Sequence, residues 1–222
     1  MPVRSQARTH MAGRPPRVSR EEIARAALAL ADREGVDSLS MRRVADAVGV
    51  GTMTLYGHFR SRDELLDAIV DAVMEDAAPL ELEGSWRERI LQLIAAARAL
   101  LRRHPALVEI RFRRPVLRPE SLGFAEASLE VLEGAGFERM EAAQAFRLLF
   151  TYTFGFAGLS PEEQADDARR EATAAISGLS PDRFPALTAA VAEASQAMSG
   201  EEQFQYGLER ILDGLESRLA AR

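Results

Sequence analysis

The stretch Leu39-Ser-Met-Arg-Arg-Val-Ala-Asp-Ala-Val-Gly-Val-Gly-Thr-Met-Thr-Leu-Tyr-Gly-His-Phe59 determines how the rest of the chain is interpreted. Ser40 is suited to cap a helix, because its hydroxyl can accept a hydrogen bond from a free backbone N–H of the first turn. The apolar side of that helix consists of Val44, Ala45 and Val48. Gly49 ends the helix, since glycine adopts the left-handed conformation of a sharp turn at little steric cost.

A second helix follows this turn and opens at Gly51 or Thr52. Its inward-facing residues are predicted to be Met53, Leu55 and Phe59. Two helices that cross steeply must approach closely at one point, which favours the small Ala45, while Leu55 fills the gap from the second helix. This combination is typical of a helix-turn-helix, whose second helix enters the major groove of DNA. The spacing alone also fits an ordinary helical hairpin with a solvated polar face.

The polar residues of this stretch suit contacts with DNA. Hydroxyl, phenol and guanidinium groups bind phosphates and the edges of bases. The residues predicted to carry the DNA contacts are Arg42, Thr52, Thr54, Tyr56 and His58. Three further arginines are predicted to clamp phosphates, namely Arg43, Arg60 and Arg62.

The charge of the chain is divided unevenly along its length. Residues 1–62 contain 11 Arg and 6 acidic residues, a charge of +5, whereas residues 63–222 contain 17 Arg and 28 acidic residues, a charge of −11. The net charge of −6 therefore conceals a basic part that coincides with the helix-turn-helix. A basic head on an acidic body suits a protein that touches DNA with one end only.

Several classes of protein are excluded or disfavoured by composition. The chain has no cysteine, so disulfides, thiolate zinc sites and cysteine nucleophiles cannot occur. No apolar run approaches the ~20 residues that span a bilayer, and the Arg-rich start lacks the apolar core of a signal peptide. We expect a cytoplasmic protein without a membrane partner. No Ser/His/Asp arrangement, phosphate loop or metal-ligand spacing is present, which argues against an enzyme.

The pattern predicts an all-α protein of three parts. Residues 1–18 are rich in Arg and Pro and are expected to form a disordered basic arm, which either lies in the minor groove or is inert. Residues 19–62 form the helix-turn-helix domain, whose first helix begins at Ser19 and ends at Gly35. Residues 63–222 form a helical body for effector binding and dimerisation. Its first helix follows a capping pair, Ser61 and Glu64, and links the two halves.

The body is expected to consist of helices separated by turns. One helix begins at Ser85 and stops at His104-Pro105, and residues 107–115 are predicted to be a turn or loop. Residues 160–182 are polar and acidic and are predicted to be a surface insertion or mobile linker. The other predicted helices cover residues 119–134, 140–159, 185–198 and 202–219.

Residues 19–70 resemble the N-terminal domain of the TetR family of repressors. The similarity follows Leu39–Ala45, Gly49-Val50, Leu55–Phe59 and Leu65-Leu66 in order. The segment Thr54-Leu55-Tyr56-x-His58 is particularly similar to the tetracycline-repressor-like branch. Residues 204–216 also resemble the closing helix of that branch, whereas residues 80–200 match only by position.

The resemblance implies that the helices at 140–159 and 202–219 form a four-helix bundle across a two-fold axis. Gly207 and Gly214 lie on one face of the last helix, which suggests that another helix packs closely there. Packing within the chain is the alternative. The residues predicted for the dimer interface are Phe150, Phe154, Gly207, Ile211, Gly214 and Leu215.

An aromatic-rich set in the body is a candidate ligand cavity, although such a stripe also fits plain core packing. The predicted ligand-binding residues are Trp86, His104, Phe112, Phe146, Phe150 and Phe154. Arg111, Arg113 and Arg114 can either meet an anionic effector or form a solvated charged turn. The tetracycline-repressor-like branch binds magnesium near a histidine that His104 matches by position. A single histidine without an acidic partner predicts no metal here, and no cofactor is expected.

We therefore predict a homodimeric repressor that binds double-stranded DNA at a palindromic operator. A small apolar effector would displace the helix that begins near Ser61 and move the two heads out of register. Two other classes stay open at this point. The chain can be an effector-independent architectural DNA binder, or a small-molecule carrier or enzyme with a vestigial DNA-binding head.

Overall fold

The computed structural model describes residues 18–76, 80–113, 119–159, 165–197 and 200–221. Within these ranges the regular structure is helical and no strand occurs, which confirms the all-α prediction. A short 3-10 turn at Val36–Ser38 lies between the first two helices. The helices are α1 (Arg20–Glu34), α2 (Met41–Val48), α3 (Thr52–His58), α4 (Arg62–Asp76), α5 (Trp86–Arg103), α6 (Ala106–Arg113), α7 (Pro119–Gly134), α8 (Arg139–Leu159), α9 (Ala165–Ser177), α10 (Pro185–Ala189), α11 (Val191–Gln196) and α12 (Glu201–Ala220).

Serine residues begin three of these helices, as predicted. At α1 the Ser19 hydroxyl accepts from the backbone N–H of Glu22 at 3.1 Å, and the Glu22 carboxylate accepts from the Ser19 N–H at 2.7 Å. Ser85 and Glu88 form the same reciprocal pair at α5. Ser40 caps α2 through its side chain alone. Hydrogen bonds from the serine backbone lower the pKa of both glutamates, because they favour the ionised carboxylate.

Two buried clusters divide the apolar interior. The first joins α1–α4, which we call the head, to Leu101 of α5 and to the buried side of α6. The second joins α5, α7, α8 and α12 within the body, which comprises α5–α12. The predicted boundary between residues 62 and 63 lies inside the first cluster, since Leu65, Leu66 and Ile69 of α4 are fully buried there. Head and body therefore share one core at α6.

The segment predicted as a turn at 107–115 is a helix over Ala106–Arg113, so that prediction was wrong. Its N-terminus is capped by a distant group, because Oδ1 of Asp32 accepts from the Ala106 backbone N–H at 3.2 Å. Burial of Leu107, Val108 and Ile110 holds the helix against the head. Arg114 and Pro115 lie outside the described residues.

The polar region predicted as an insertion or linker at 160–182 contains α9, which corrects the expectation for residues 165–177. Asp166 and Asp167 lie in its first turn, where acidic groups favour the helix dipole. Each pairs with an arginine three residues later, which stabilises an exposed helix. The helix predicted at 185–198 is divided at Ala190 into α10 and α11. Residues 160–164 and 198–199 are outside the described ranges, as is the predicted arm over residues 1–17.

None of the described helices combines the length and the apolar character needed to cross a bilayer.

Candidate functional site

The turn between α2 and α3 has the geometry expected of a helix-turn-helix. Gly49 adopts the left-handed conformation, with φ 72° and ψ 30°, and its N–H bonds to carbonyls at the end of α2. Ala45 has no exposed surface, and neither does Leu55, so the two helices meet closely at this point. Phe59 is equally buried at the end of α3. The buried side of α3 thus packs against the rest of the head, and its opposite side faces solvent.

The exposed side of α3 carries most of the predicted DNA-contacting residues. Thr54 and Tyr56 are exposed, and Thr52 and His58 are half-buried beside them. Met53 was predicted to face inward and is instead 83% exposed, because it lies nearly opposite Leu55 around the helix. An apolar side chain on this face can contact a thymine methyl group.

The four predicted arginine contacts outside α3 have different surroundings. Arg42 is largely exposed, with a long 4.0 Å contact to Asp46, and Arg60 is exposed as well. Arg43 binds the Glu34 carboxylate and donates to the Ser38 carbonyl. Arg62 donates from Nε to the Leu39 carbonyl at 2.9 Å and from Nη2 to the Val36 carbonyl at 2.7 Å. The structure therefore gives Arg43 and Arg62 roles inside the head, whereas Arg42 and Arg60 are available to phosphates.

Arg20 of α1 was missed from the sequence and ties together the ends of α3 and α4. Its guanidinium lies 4.2 Å from the centre of the Phe59 ring, donates to the His58 carbonyl and pairs with Glu64 at 2.9 Å. Glu64 also accepts from the Arg60 backbone N–H, and this hydrogen bond is the largest of the causes that lower the pKa of Glu64. The Ser61 hydroxyl accepts from the Glu64 backbone N–H, which is one half of the predicted capping pair, whereas the Glu64 carboxylate binds the backbone N–H of Arg60. Because its partners are more than 35 residues away, local spacing gave no indication of Arg20.

Helix α6 is attached to the head by polar contacts as well as by its buried side. Glu109 accepts from the Val36 backbone N–H at 3.1 Å. Arg113 pairs with Asp37 through two contacts of 2.5 and 2.8 Å and lies 3.7 Å from Glu109. The hydrogen bond from Arg113, and then its charge, lower the pKa of Asp37. The pair therefore persists at neutral pH and is lost only as the pH falls through that lowered pKa.

His104 belongs to this head–body junction and not to the aromatic set. Its Nδ1 lies 2.8 Å from Oδ2 of Asp32 on α1, the carboxylate that also caps α6. A cleft of about 300 Å³ opens beside the pair, between α1, α4 and α5. Its walls include Leu28, Val73, Leu100 and Arg103. The described residues contain no group of three or more potential metal ligands of the His, Cys, Asp or Glu type.

The predicted ligand-binding residues do not converge on one cavity. Trp86 packs edge-on against Phe137 in the second cluster, and Phe112 is 64% exposed. The remaining predicted rings, Phe146, Phe150 and Phe154, follow one another along α8, with centroids 5.8 and 4.2 Å apart. The ring of Phe124 on α7 extends this series, 6.3 Å from Phe146. These four partly exposed rings form an aromatic face, defined here as Phe124, Phe146, Phe150 and Phe154.

The predicted dimer residues are split between the chain's own core and its surface. A Cβ on Gly207 would collide with the Tyr152 ring, whose hydroxyl donates to the Gln203 and Phe204 carbonyls. Gly207 is thus explained by packing of α8 on α12 within the chain. Ile211 and Leu215 are half-buried against the second cluster, Phe154 is half-buried against the first, and Phe150 belongs to the aromatic face.

Gly214 is the one predicted interface residue of α12 that is exposed, and no described atom beyond the adjoining backbone of its own helix and its two chain neighbours lies within 4 Å of the place where a Cβ would sit. Large apolar side chains are exposed on both helices of the predicted interface, α8 and α12. These outward residues are Met140 and Leu148 of α8 and Tyr206 of α12. Most of the residues predicted for the dimer interface on α8 and α12 thus face the chain's own core, and the exposed apolar side chains of these helices are different residues.

The fold and the exposed α3 face define a helix-turn-helix DNA-binding protein with a helical second domain. Comparison with known proteins agrees with this class. Residues 23–69 match the family of bacterial regulatory proteins named tetR, and residues 78–219 match the tetracyclin repressor-like C-terminal domain. The chain belongs to the TetR family. It is a DNA-binding transcriptional repressor of this family, which is not a family of enzymes.

Similar proteins match over nearly the whole chain. The transcriptional repressor DrrR1 of Streptomyces coeruleorubidus is 33% identical, over 95% of this chain and 82% of its own length. The class A tetracycline repressor from Escherichia coli is 33% identical, over 88% of this chain and 89% of its own. The structure of Streptomyces coelicolor ActR in complex with actinorhodin has a TM-score of 0.78 and 29% identity, covering 92% of this chain and 97% of that one.

Proposed function

We propose that the chain acts as a homodimer that binds a palindromic operator through α3 and is released by a small, largely apolar effector. The observation that carries the proposal is the exposed side of α3, supported from behind by Leu55 and Phe59. A short helix of seven residues reads few base pairs. Two such helices about 34 Å apart read successive major grooves, which is the physical reason for a dimer.

On the DNA side, we assign the base-edge contacts to α3 and the phosphate contacts to arginines at its borders. Thr54 and Tyr56 have exposed polar groups, and Thr52 and His58 lie beside them. Met53 adds an apolar contact that suits a thymine methyl group. The phosphate contacts are assigned to Arg42 and Arg60, while Arg43 and Arg62 position the helices from within.

For dimerisation, we assign the exposed side of α8 and α12. Leu148 is 48% exposed on α8, and the exposed Met140 lies on the same helix. On α12 the exposed Tyr206 is eight residues from Gly214, so the two lie on similar sides of the helix. Pairing of these surfaces in two copies would remove exposed apolar area from water.

We assign effector binding to the aromatic face, and we propose that α6 transmits the effect of binding to the head. The effector would act through its different affinity for the DNA-bound and released arrangements. Helix α6 packs close to α8 where Phe112 meets Gly158, and it holds the head through Glu109 and Arg113. A shift of α6 would therefore be passed to α4 and α3, moving the two heads out of register.

The test is operator binding by a Tyr56→Ala variant, measured by gel shift on DNA from upstream of the protein's own gene. Tyr56 is 47% exposed on the open side of α3, so the variant should fold with a nearly unchanged melting temperature and bind at least tenfold more weakly, or about 1.4 kcal/mol. Tyr56→Phe separates the hydroxyl from the ring. Unchanged affinity of the alanine variant would contradict the assignment of α3 as the reading helix.

A further inference from the structure

Two arginines from different helices lie against one ring of the aromatic face. The guanidinium carbon of Arg111, on α6, is 5.1 Å from the centre of the Phe150 ring. That of Arg147, on α8, is 6.0 Å from the same centre. Both distances are within cation–π range, so the ring is flanked by two positive charges.

Neither arginine has an acidic partner within the described part of the chain. The neighbouring Arg113, only two residues from Arg111, has two partners, Asp37 and Glu109. Burial lowers the pKa of Arg111, and repulsion by Arg147 lowers it further. Both effects mean that the surroundings disfavour the charged form, although an arginine stays protonated. The pair is therefore a local excess of positive charge beside an apolar surface.

We propose that the effector is an aromatic anion, whose acidic group binds Arg111 and Arg147 while its ring system packs against the aromatic face. This inference rests on the proposed effector site and names the chemical class of its ligand. A carboxylate or sulfonate would relieve the repulsion between the two guanidinium groups and accept charge-assisted hydrogen bonds from both. The partly exposed rings of Phe146, Phe150 and Phe154 provide an apolar surface for the remainder of the molecule.

The position of Arg111 also connects such a ligand to the head. Arg111 lies between Glu109 and Arg113 on α6, the two residues that hold Val36 and Asp37. An acidic group that draws Arg111 toward Phe150 acts on the same helix that those contacts fix. A neutral apolar ligand would lack this ionic contact with Arg111 of α6.

Two fluorescent probes that differ by one acidic group test the proposal. The anion 1-anilinonaphthalene-8-sulfonate and its neutral counterpart N-phenyl-1-naphthylamine share the same rings. We expect the full-length dimer to bind the sulfonate at least about tenfold more tightly than the neutral probe, a preference that falls with added salt. The measured quantity is the ratio of the two dissociation constants, that of the neutral probe over that of the sulfonate. Arg111→Gln and Arg147→Gln should each lower this ratio, while Arg111→Lys and Arg147→Lys should retain most of it.

Arg139→Gln is the matched control, because Arg139 is on α8 as well but is 92% exposed and pairs with Glu133. Its ratio should equal that of the unaltered protein. Equal binding of the two probes by the unaltered protein would overturn the proposal, and so would a ratio that survives Arg111→Gln or Arg147→Gln. A charge preference without any release of operator DNA at saturating sulfonate would leave the anion site standing and refute the proposed effector function.

Discussion

At the scale of single residues, Arg60 and Arg62 are two positions apart and have different surroundings. Arg62 is half-buried and donates to two carbonyls, those of Leu39 and Val36, just before α2 begins. Arg60 has an exposed side chain beside the proposed DNA surface. Arg62 therefore fixes where α2, and with it α3, sits on the head, whereas Arg60 is free to meet a phosphate.

This difference predicts opposite phenotypes for two matched substitutions. Arg62→Gln should lower the free energy of unfolding by ~1–3 kcal/mol, because it leaves carbonyls without their charged donor. Arg60→Gln should change stability by no more than about 0.5 kcal/mol, and should weaken operator binding with a salt slope smaller by about 1. Urea unfolding and affinity measured across salt concentrations distinguish the two. An unchanged stability with a reduced salt slope in Arg62→Gln would make Arg62 a phosphate contact after all.

Residues whose roles depend on neighbours within four positions were predictable from the sequence. Ser19, Ser40 and Gly49 are examples, because caps and left-handed turns are decided by local backbone geometry. Arg20 and Arg62 were not, since their partners lie 23 to 44 residues away. Met53 was misplaced because an apolar side chain normally predicts burial, while a DNA-reading surface can expose one.

At the scale of elements, α6 joins the body to the head. Its first backbone N–H is capped by Asp32 of α1, and the same carboxylate contacts His104 at the end of α5. Its far end is held by Arg113 and Asp37. One carboxylate thus fixes three helices at a junction beside the cleft between α1, α4 and α5.

We expect Asp32→Ala to lower the free energy of unfolding by ~0.5–2 kcal/mol, the range for losing a helix cap. Asp32→Asn retains an oxygen that can accept from the Ala106 N–H, so it should lower the free energy of unfolding by less. Asp46→Ala is the control, because the Asp46 carboxylate is 71% exposed and, within the described residues, its closest ion pair is a 4.0 Å contact with Arg42. Urea unfolding of the three variants provides the comparison. A cost for Asp46→Ala equal to that for Asp32→Ala would rule out the capping role.

The same remote cap explains why α6 was predicted as a turn. A capping residue normally lies just before its helix, whereas Asp32 lies 74 positions before Ala106. The region of α9 was predicted as an insertion or linker for a different reason, since its exposed, charged sequence resembles a solvated segment, whereas the helix forms ion pairs along its own surface and packs against α11. The long apolar helices α5, α8 and α12 were predictable, because their buried sides repeat at helical spacing.

At the scale of the molecule, the chain separates a basic head from an acidic body, with charges of +5 over residues 1–62 and −11 over residues 63–222. The body exposes apolar side chains on α8 and α12, where the proposed partner would pack. The family resemblance implies an interface on these two helices. It could not choose the outward side, because the same helices also bury a stripe against their own chain.

Dimerisation through this face predicts that Leu148→Glu yields a monomer at micromolar concentration that retains its helical content. Leu80→Glu is the matched control, since Leu80 is also 48% exposed and lies outside α8 and α12. A charge forced into an apolar interface is left desolvated and unpaired, whereas one on a free surface is hydrated. Sedimentation velocity gives the masses. A dimeric Leu148→Glu variant would place the interface elsewhere.

The central claim is that two copies of α3, held at a fixed separation, read one DNA site together. Selection of binding sequences from random double-stranded DNA by the purified chain tests it most directly. The expected result is an inverted repeat whose half-site centres are about one helical turn, or 10–10.5 base pairs, or a multiple of it apart, lost for Tyr56→Ala and for monomeric Leu148→Glu. Recovery of a single unrepeated site, or of no common sequence, would contradict the claim.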